Sequence, residues 1–392
     1  MSFRGPGTEA VPDPYHAGMS TDTSLRQTPF QSFHADQGAK LLDYTGWEMP
    51  LHYGSIIEEH KQVRRSGGVF DVSHMGRLRF SGRDACRFLD LVCTRQIQGM
   101  QPGQIRYTLV CNEQGGCKDD VLVYCIDESE YLCVCNAANR EKLLEHFDEV
   151  KGDMVFKRKD ETETTAMVAV QGPKVMELIG RFSNEIPTLK RYRFAQKSIL
   201  IAKYLVSRTG YTGEDGVEVI MPNMMAKQMI KMLLGNVDAD DTSVKPCGLG
   251  ARDSLRLEAG MALYGHELSE EIDPLTACLD FAIKLNKGEN DDTGRFIGQD
   301  ALQAIAASGG PRQKLTGLIL DGRRAARQGV PVISNGTKVG TVTSGCFSPT
   351  LERSIAMAIV DVDANAAGTA LKVDLGRAIA PASVVPLPFY KA

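Results

Sequence analysis

Residues Asn112-Glu113-Gln114-Gly115-Gly116-Cys117-Lys118-Asp119-Asp120 stand between two runs of strand character, Ile105 to Cys111 and Val121 to Ile126. Both runs are rich in β-branched, aromatic, Leu and Cys residues. The Gly115-Gly116 pair supplies positive-φ positions for a tight connection, so the segment reads as a β-hairpin. Asp119 and Asp120 open the return strand, and because strand side chains alternate they must point to opposite faces. Counting by twos, Asp120 shares a face with Leu122, Tyr124 and Ile126, and Asp119 shares one with Val121, Val123 and Cys125. An acid against an apolar wall resists ionisation unless a cation or hydrogen-bond donor holds it, and carboxylates tuned in this way carry out proton or cation chemistry. The competing reading has one Asp capping the turn and the other exposed to water.

The chain around this hairpin has 392 residues, more than one typical core, and reads as two or three domains. Hydrophobic content of 43% and charged content of 24% describe an ordinary soluble globular protein. No apolar run is long enough to span a bilayer. A formal net charge of -4 argues against a duplex-binding surface. The ten cysteines form no C-x-x-C pair and no Cys/His set with zinc spacing. Cys133 and Cys135 on one strand face would not readily bridge, so the thiols read as reduced and buried, in an intracellular compartment.

Upstream, residues 1–24 are Pro/Gly-rich without periodicity and read as a flexible extension, a poor match to an Arg-rich, acid-poor transit peptide. A helix is expected from Gln31 to Tyr44, then a loop through Gly46-Trp47-Glu48-Met49-Pro50-Leu51 that holds the only Trp. A helix from Ser55 to Ser66 leads into Val69-Phe70-Asp71-Val72-Ser73-His74-Met75-Gly76, a buried strand ending in a polar turn. His74 reads there as a hydrogen-bonded turn residue, since no partner lies in sequence reach. A helix from Asp84 to Cys93 precedes the hairpin; a strand from Tyr131 to Asn136 and a helix from Asn139 to Phe147 follow it.

Two further constellations stand out downstream. In Ser207-Arg208-Thr209-Gly210-Tyr211-Thr212-Gly213-Glu214-Asp215-Gly216-Val217-Glu218-Val219 the glycines precede no helix, so they mark a loop between strands and not a dinucleotide fingerprint. Glu218 sits between two valines, where the ordinary reading is an exposed alternate position. In Gly248-Leu249-Gly250-Ala251-Arg252-Asp253-Ser254-Leu255-Arg256-Leu257-Glu258 a helix places Arg252 and Arg256 one turn apart. An Arg in a first helical turn opposes the helix dipole, which points either to an anionic ligand or to an ion pair with Asp253 or Glu258. From Pro311 onward, after a linker at Ile305 to Gly310, six short β-rich runs separated by Gly, Asn and Asp turns suggest a small antiparallel barrel or sandwich.

The blocks at Gly46, Phe70, Asn112, Ser207 and Gly248, with Thr343-Ser344-Gly345-Cys346-Phe347-Ser348-Pro349-Thr350-Leu351, resemble the aminomethyltransferase of the glycine cleavage system, its T-protein, over Leu25 to Tyr390. The resemblance implies an α+β fold: a three-domain clover around a central folate cavity, with a C-terminal antiparallel β-barrel domain. The core would be residues 25–304, two intertwined discontinuous subdomains, and the barrel residues 311–392. It implies transfer of an aminomethyl group from the lipoyl arm of the H-protein to tetrahydrofolate, releasing ammonia and forming methylenetetrahydrofolate and dihydrolipoyl H-protein, with no metal. The setting would be the mitochondrial matrix in a eukaryote and the cytoplasm in a bacterium, in association with the other glycine cleavage proteins.

Carried over residue by residue, Asp120 matches the essential carboxylate, and Glu218 and Arg252 the folate contacts. Tyr107, Met75 and Tyr124 would line the pocket, with Tyr390 a further folate contact. Met261 departs from the pattern, standing where some members have an aromatic residue. Two other readings are a non-catalytic folate-binding module, whose reactive-Cys motif is missing here, and a folate-dependent demethylase of another small donor. Fusion to a flavin amine oxidase is not expected at this length without an N-terminal G-x-G-x-x-G.

Overall fold

The computed structural model describes residues 24–199, 202–235, 244–289 and 294–392. The expected N-terminal extension therefore falls almost wholly outside the described residues. The hairpin is present: Ile105–Cys111 pairs antiparallel with Cys117–Asp127, Leu109 opposite Asp120 and Val110 opposite Asp119. The return strand starts four residues earlier than its apolar run. Only Gly115 holds a positive φ, 86°. Gly116 is needed for another reason, since a Cβ there would lie 1.7 Å from the Glu270 carbonyl oxygen.

These two strands edge a five-stranded sheet that continues through Glu130–Cys135, Gly76–Ser81 and Lys157–Asp160. Its outer face, with Val121, Val123, Cys125 and Cys133, packs on helices Ala85–Val92 and Arg140–Val150 around Phe80, Phe88 and Phe147. Its inner face carries Ile105, Tyr124, Leu132 and Val134 into a second core shared with a six-stranded sheet. That sheet runs Phe194–Ile199, Ala202–Ser207, Gly216–Pro222, Thr165–Gln171, Gly68–Asp71 and Lys245–Pro246.

Alternation sorts the side chains of Gly216–Pro222: Val217, Val219 and Met221 join the outer core of the six-stranded sheet, while Ile220 joins the core between the sheets. By the same period Glu218 faces inward. It is 4% exposed, which corrects the expectation of an exposed alternate position.

Two upstream expectations are also corrected. The helix predicted over Gln31 to Tyr44 covers only Gln31–Asp36; Gly38, at φ 65°, breaks it, and Lys40–Tyr44 is a strand. The loop expected at Gly46 to Leu51 is largely strand Trp47–His52, paired to Lys40–Tyr44 through a turn at Thr45 and Gly46, both at positive φ. A Thr in the left-handed region carries no sequence signal for that turn, so the hairpin is not legible in the local sequence. The Val69 to Gly76 segment divides into strand Gly68–Asp71, a turn and strand Gly76–Ser81.

Of the two C-terminal alternatives the barrel is found. Six antiparallel strands close it in the order Gln313–Leu320, Arg353–Asp361, Thr337–Ser348, Pro331–Ser334, Ala370–Asp374 and Ile379–Val385. Helix Gln299–Ala307 occupies part of the expected linker. No helix among the described residues is long and apolar enough to cross a membrane.

Helix Leu249–Glu258 joins core to barrel. It starts tight against strand Trp47–His52, because Gly248 has no Cβ; one would sit 2.2 Å from the Leu51 carbonyl oxygen. It ends at Glu258, fully buried, whose carboxylate accepts from Arg64 Nη2 at 2.9 Å, Thr350 Oγ1 at 2.8 Å and the Ser348 hydroxyl, with His60 Nε2 at 3.1 Å. Burial raises this carboxyl, but hydrogen bonds and charge from His60, the Ser348 hydroxyl and Arg64 outweigh it and bring it down to about 2.

Two outcomes are expected. Glu258→Ala removes the carboxylate shared by Arg64, His60, Ser348 and Thr350, leaving Arg64 paired with Glu214 and His60 with Ser254 and Thr350, and should lower stability by about 3–5 kcal/mol in urea unfolding; a loss below about 1 kcal/mol would show that this junction does not hold the barrel to the core. Because the folded carboxyl lies near 2, below the ordinary 4.5, its contribution is complete above 4.5 and is lost as pH falls toward 2. Urea midpoints of Glu258→Gln should accordingly depend less on pH across that interval than those of the parent.

Candidate functional site

The two sheets and the start of helix Leu249–Glu258 enclose a cavity of about 290 Å³. The strand period that turns Tyr124 inward also turns Asp120 inward, and Asp120, Tyr107, Leu122 and Asn136 form one wall. Asp120 Oδ2 accepts from the Tyr107 hydroxyl at 3.1 Å and Oδ1 from Asn136 Nδ2 at 2.8 Å. Asp119 points the other way and is fully buried, so neither Asp merely caps the turn. It accepts from Asn136 N at 3.0 Å, Asn136 Nδ2 at 2.8 Å and Asn139 Nδ2 at 2.6 Å. One amide, that of Asn136, thus touches both carboxylates.

Burial, then the neighbouring Asp120 charge, pushes the Asp119 carboxyl up to about 8 against its three N–H donors. Burial raises Asp120 too, opposed by the hydrogen bonds from Tyr107 and Asn136. Burial and the Asp120 charge hold the Tyr107 hydroxyl far above its usual range, so it stays a donor. Phe281, 64% exposed, stacks on Tyr107 with ring centroids 5.9 Å apart.

The six-stranded sheet supplies Glu218. Its Oε2 accepts from Thr209 Oγ1 at 2.6 Å, and Ser207 Oγ bonds Thr209 Oγ1 at 2.8 Å and Tyr124 OH at 3.1 Å. Tyr124 is fully buried behind the wall and reaches Glu218 only through this hydroxyl chain, so it is not brought to the cavity surface.

Both arginines of the helix line the cavity, but they differ in their partners. Arg256 is buried against Asp253 at 2.8 Å and Glu267 at 3.0 Å and donates to Ser344 Oγ at 2.8 Å. Arg252 lines the cavity, its guanidinium carbon 5.0 Å from the centre of the Tyr211 ring. Its Nη1 is buried without a hydrogen-bond partner, and it forms no ion pair with Glu218, Asp253 or Glu258 among the described residues.

Met75, Met261 and His74 also lie on the wall. Arg77, 0% exposed, fixes the turn carrying Met75 and His74 by donating to the carbonyl oxygens of Ser73 and Met75. The expectation of a hydrogen-bonded His74 is corrected: its Nδ1 is buried without a hydrogen-bond partner among the described residues, and burial pulls the imidazole down to about 4. Tyr390 is not part of the wall; its ring lies 3.9 Å from the Arg64 guanidinium carbon and its amide donates to the Glu258 carbonyl at 2.8 Å. The sequence reading missed Asn136, Thr45, Tyr211 and Phe281, all on the wall. Only Asn136 carried a signal, as the first polar residue after the strand that pairs with the Asp119-Asp120 strand.

Among the described residues no group of three or more His, Cys, Asp or Glu could hold a metal ion. All ten cysteines are free thiols.

Comparison with known proteins bears on this geometry. The GCVT N-terminal domain matches residues 30–287, and the glycine cleavage T-protein C-terminal barrel domain matches residues 313–391. An aminomethyltransferase of Rubrobacter xylanophilus is 44% identical over 369 residues, which cover 94% of this chain and 95% of that one. One of Symbiobacterium thermophilum is 41% identical over 377 residues, 94% of this chain and 98% of that one. The crystal structure of glycine cleavage system aminomethyltransferase T from Bartonella henselae superposes with a TM-score of 0.86 at 30% identity, over 94% of this chain and 99% of that one. With matches of this extent running through both the cavity-bearing core and the closed barrel, the chain belongs to the glycine cleavage T-protein family.

Proposed function

We propose that the protein is a tetrahydrofolate-dependent aminomethyltransferase of glycine cleavage. It takes the aminomethyl group from the lipoyl arm of an H-protein, releases ammonia and leaves 5,10-methylenetetrahydrofolate and dihydrolipoyl H-protein. The observation that carries this reading is one cavity walled by two acids from facing sheets, Asp120 and Glu218, together with an arginine that has no counter-ion among the described residues. The reading needs no metal, and the working compartment is the cytoplasm in a bacterium or the matrix in a mitochondrion.

The residues suit the substrate. A pterin presents adjacent N–H donors, which a carboxylate can accept together; Glu218, held through Thr209, is fixed for that task. Arg252 supplies donors for an acceptor on the same ring, Met75 and Tyr107 pack on its faces, and Tyr124 supports Glu218 from behind. Tyr390, tied to Arg64, is left to steady the helix end and not to meet the ring.

In the reaction the sulfur-bound aminomethyl carbon loses ammonia and becomes cationic. A folate nitrogen attacks that carbon, the carbon–sulfur bond breaks with its electron pair going to sulfur, and a second folate nitrogen closes the ring. The two folate N–H groups release two protons: one balances the proton the amine takes up to leave as ammonia, and the other ends on the lipoyl thiolate. Both cationic stages call for a fixed negative charge with no reorganisation cost, and Asp120, oriented by Tyr107 and Asn136, provides it and relays the proton.

The direct test is tetrahydrofolate titration followed by aminomethylated H-protein, with ammonia and methylenetetrahydrofolate read together; release of neither product would refute the proposal. Asp120→Asn is expected to lower turnover by roughly two to four orders of magnitude with folate affinity less affected. Asn136→Ala, which leaves Asp120 in place but unguided, should lower kcat about 10- to 100-fold with little change in folate KM. An unchanged kcat in that variant would show that the Tyr107 hydroxyl alone orients the carboxylate.

A further inference from the structure

One part-exposed carboxylate, that of Glu270, gathers three pieces of chain that each contribute to the cavity wall. Lys118 Nζ lies 3.3 Å from Glu270 Oε2, and Lys142 Nζ lies 3.1 Å from Oε1. Lys118 stands two residues before Asp120 on the return strand of the hairpin. Lys142 stands one turn beyond Ala138, a wall residue, in the helix Arg140–Val150 that follows Asn136. Glu270 belongs to the segment after helix Leu249–Glu258, in which Gly260 to Tyr264 line the cavity. The backbone repeats the tie, since the Glu270 carbonyl accepts from Asn112 Nδ2 at 3.0 Å and Cys117 N donates to the Ser269 carbonyl at 2.8 Å.

Lys142 also reaches the wall itself. Its ammonium donates to the Tyr264 hydroxyl at 2.6 Å and lies 4.5 Å from the centre of that ring. Burial, then the Glu270 charge, holds the Tyr264 hydroxyl above its usual range, so it keeps its proton and serves Lys142 as an acceptor. The side chains of Lys142 and Glu270 are 28% and 35% exposed, so solvent meets one side of this cluster while the Tyr264 ring faces the cavity on the other. Ion pairs this open add little to stability. What they set is the place of a ring that separates solvent from the chamber holding Asp120.

We propose that Lys142, held by Glu270, is a positioning residue that fixes the Tyr264 ring as a closure against water at the reacting carbon. This rests on the reading of the cavity as the site of aminomethyl transfer. A cationic one-carbon centre is open to any nucleophile within reach. Attack by a folate nitrogen is the productive route. Attack by water places its oxygen on the carbon, and once the carbon–sulfur bond breaks with its electron pair on sulfur the products are formaldehyde and the dihydrolipoyl thiol. The balance of that side reaction is aminomethyl thioether plus water to thiol, formaldehyde and ammonia. Keeping water out suppresses it, and a loosened ring lets it in.

The experiment supplies aminomethylated H-protein to the full-length protein under two conditions. With tetrahydrofolate it reads methylenetetrahydrofolate; with 5-methyltetrahydrofolate, whose blocked nitrogen cannot close the ring, it reads formaldehyde. Lys142→Met is expected to raise the ratio of the formaldehyde rate to the transfer rate about tenfold. Tyr264→Phe, which keeps the ring but removes its anchor, should move the ratio in the same direction, and Lys142→Arg, which keeps a charged donor, should bring it back toward that of the parent. Tm should stay close to the parent's in all three. A merely structural role would lower Tm and slow both reactions in proportion, leaving the ratio as it was. A ratio unchanged in Lys142→Met and Tyr264→Phe, or raised as much by Lys142→Arg as by Lys142→Met, overturns the closure while transfer by the parent stands. A parent that yields neither product overturns the transfer reading and the closure with it.

Discussion

A carboxylate between two apolar sheet faces keeps its charge only where fixed N–H and O–H groups replace the water it has lost. The cavity is built around that requirement, met separately from each sheet. On one side Asn136 and Asn139 hold Asp119 while Asn136 and Tyr107 hold Asp120. On the other, a chain of hydroxyls from Tyr124 through Ser207 and Thr209 holds Glu218. Networks of this kind are rigid because each member is costly to leave unpaired. Asp120 and Glu218 therefore face the cavity in set directions before any ligand arrives, which is the condition for charge stabilisation without reorganisation.

Helix Leu249–Glu258 divides its charges between structure and chemistry. Arg256 and Glu258 are consumed by protein partners, Arg256 with Asp253 and Glu267, Glu258 with Arg64 and the barrel residues Ser348 and Thr350. Arg252, one turn before Arg256, lines the cavity without an ion pair among the described residues, whereas Arg256 lines it already paired. The same ten-residue rod thus ties the barrel to the core at one end and sets the cation at the other. The barrel has no acid on the cavity wall, but it fixes the helix that carries the arginine.

Much of the fold could be read along the chain. The Asn112 to Asp120 hairpin, the helices at Ser55, Asp84 and Asn139, and the six C-terminal strands each follow from local periodicity and turn chemistry. The opposite orientation of Asp119 and Asp120 follows from the strand period alone. What failed locally failed for identifiable reasons. The Thr45 turn uses a residue that seldom takes left-handed φ. Gly116 serves a close approach to Glu270, a residue more than a hundred positions away that no local pattern can anticipate.

For the site, the residue sequence determined which groups are titratable, which strand positions share a face, and the motif blocks that place the chain in its family. It could not say that the face carrying Glu218 meets another sheet instead of water, that Tyr124 supports the wall from behind, that Tyr390 packs on Arg64, or that His74 lines a cavity with its Nδ1 unbonded among the described residues. Those outcomes depend on which sheet faces which. Strand periodicity assigns a side chain to a face, whereas burial and pairing of that face are set by contacts between segments far apart in the chain.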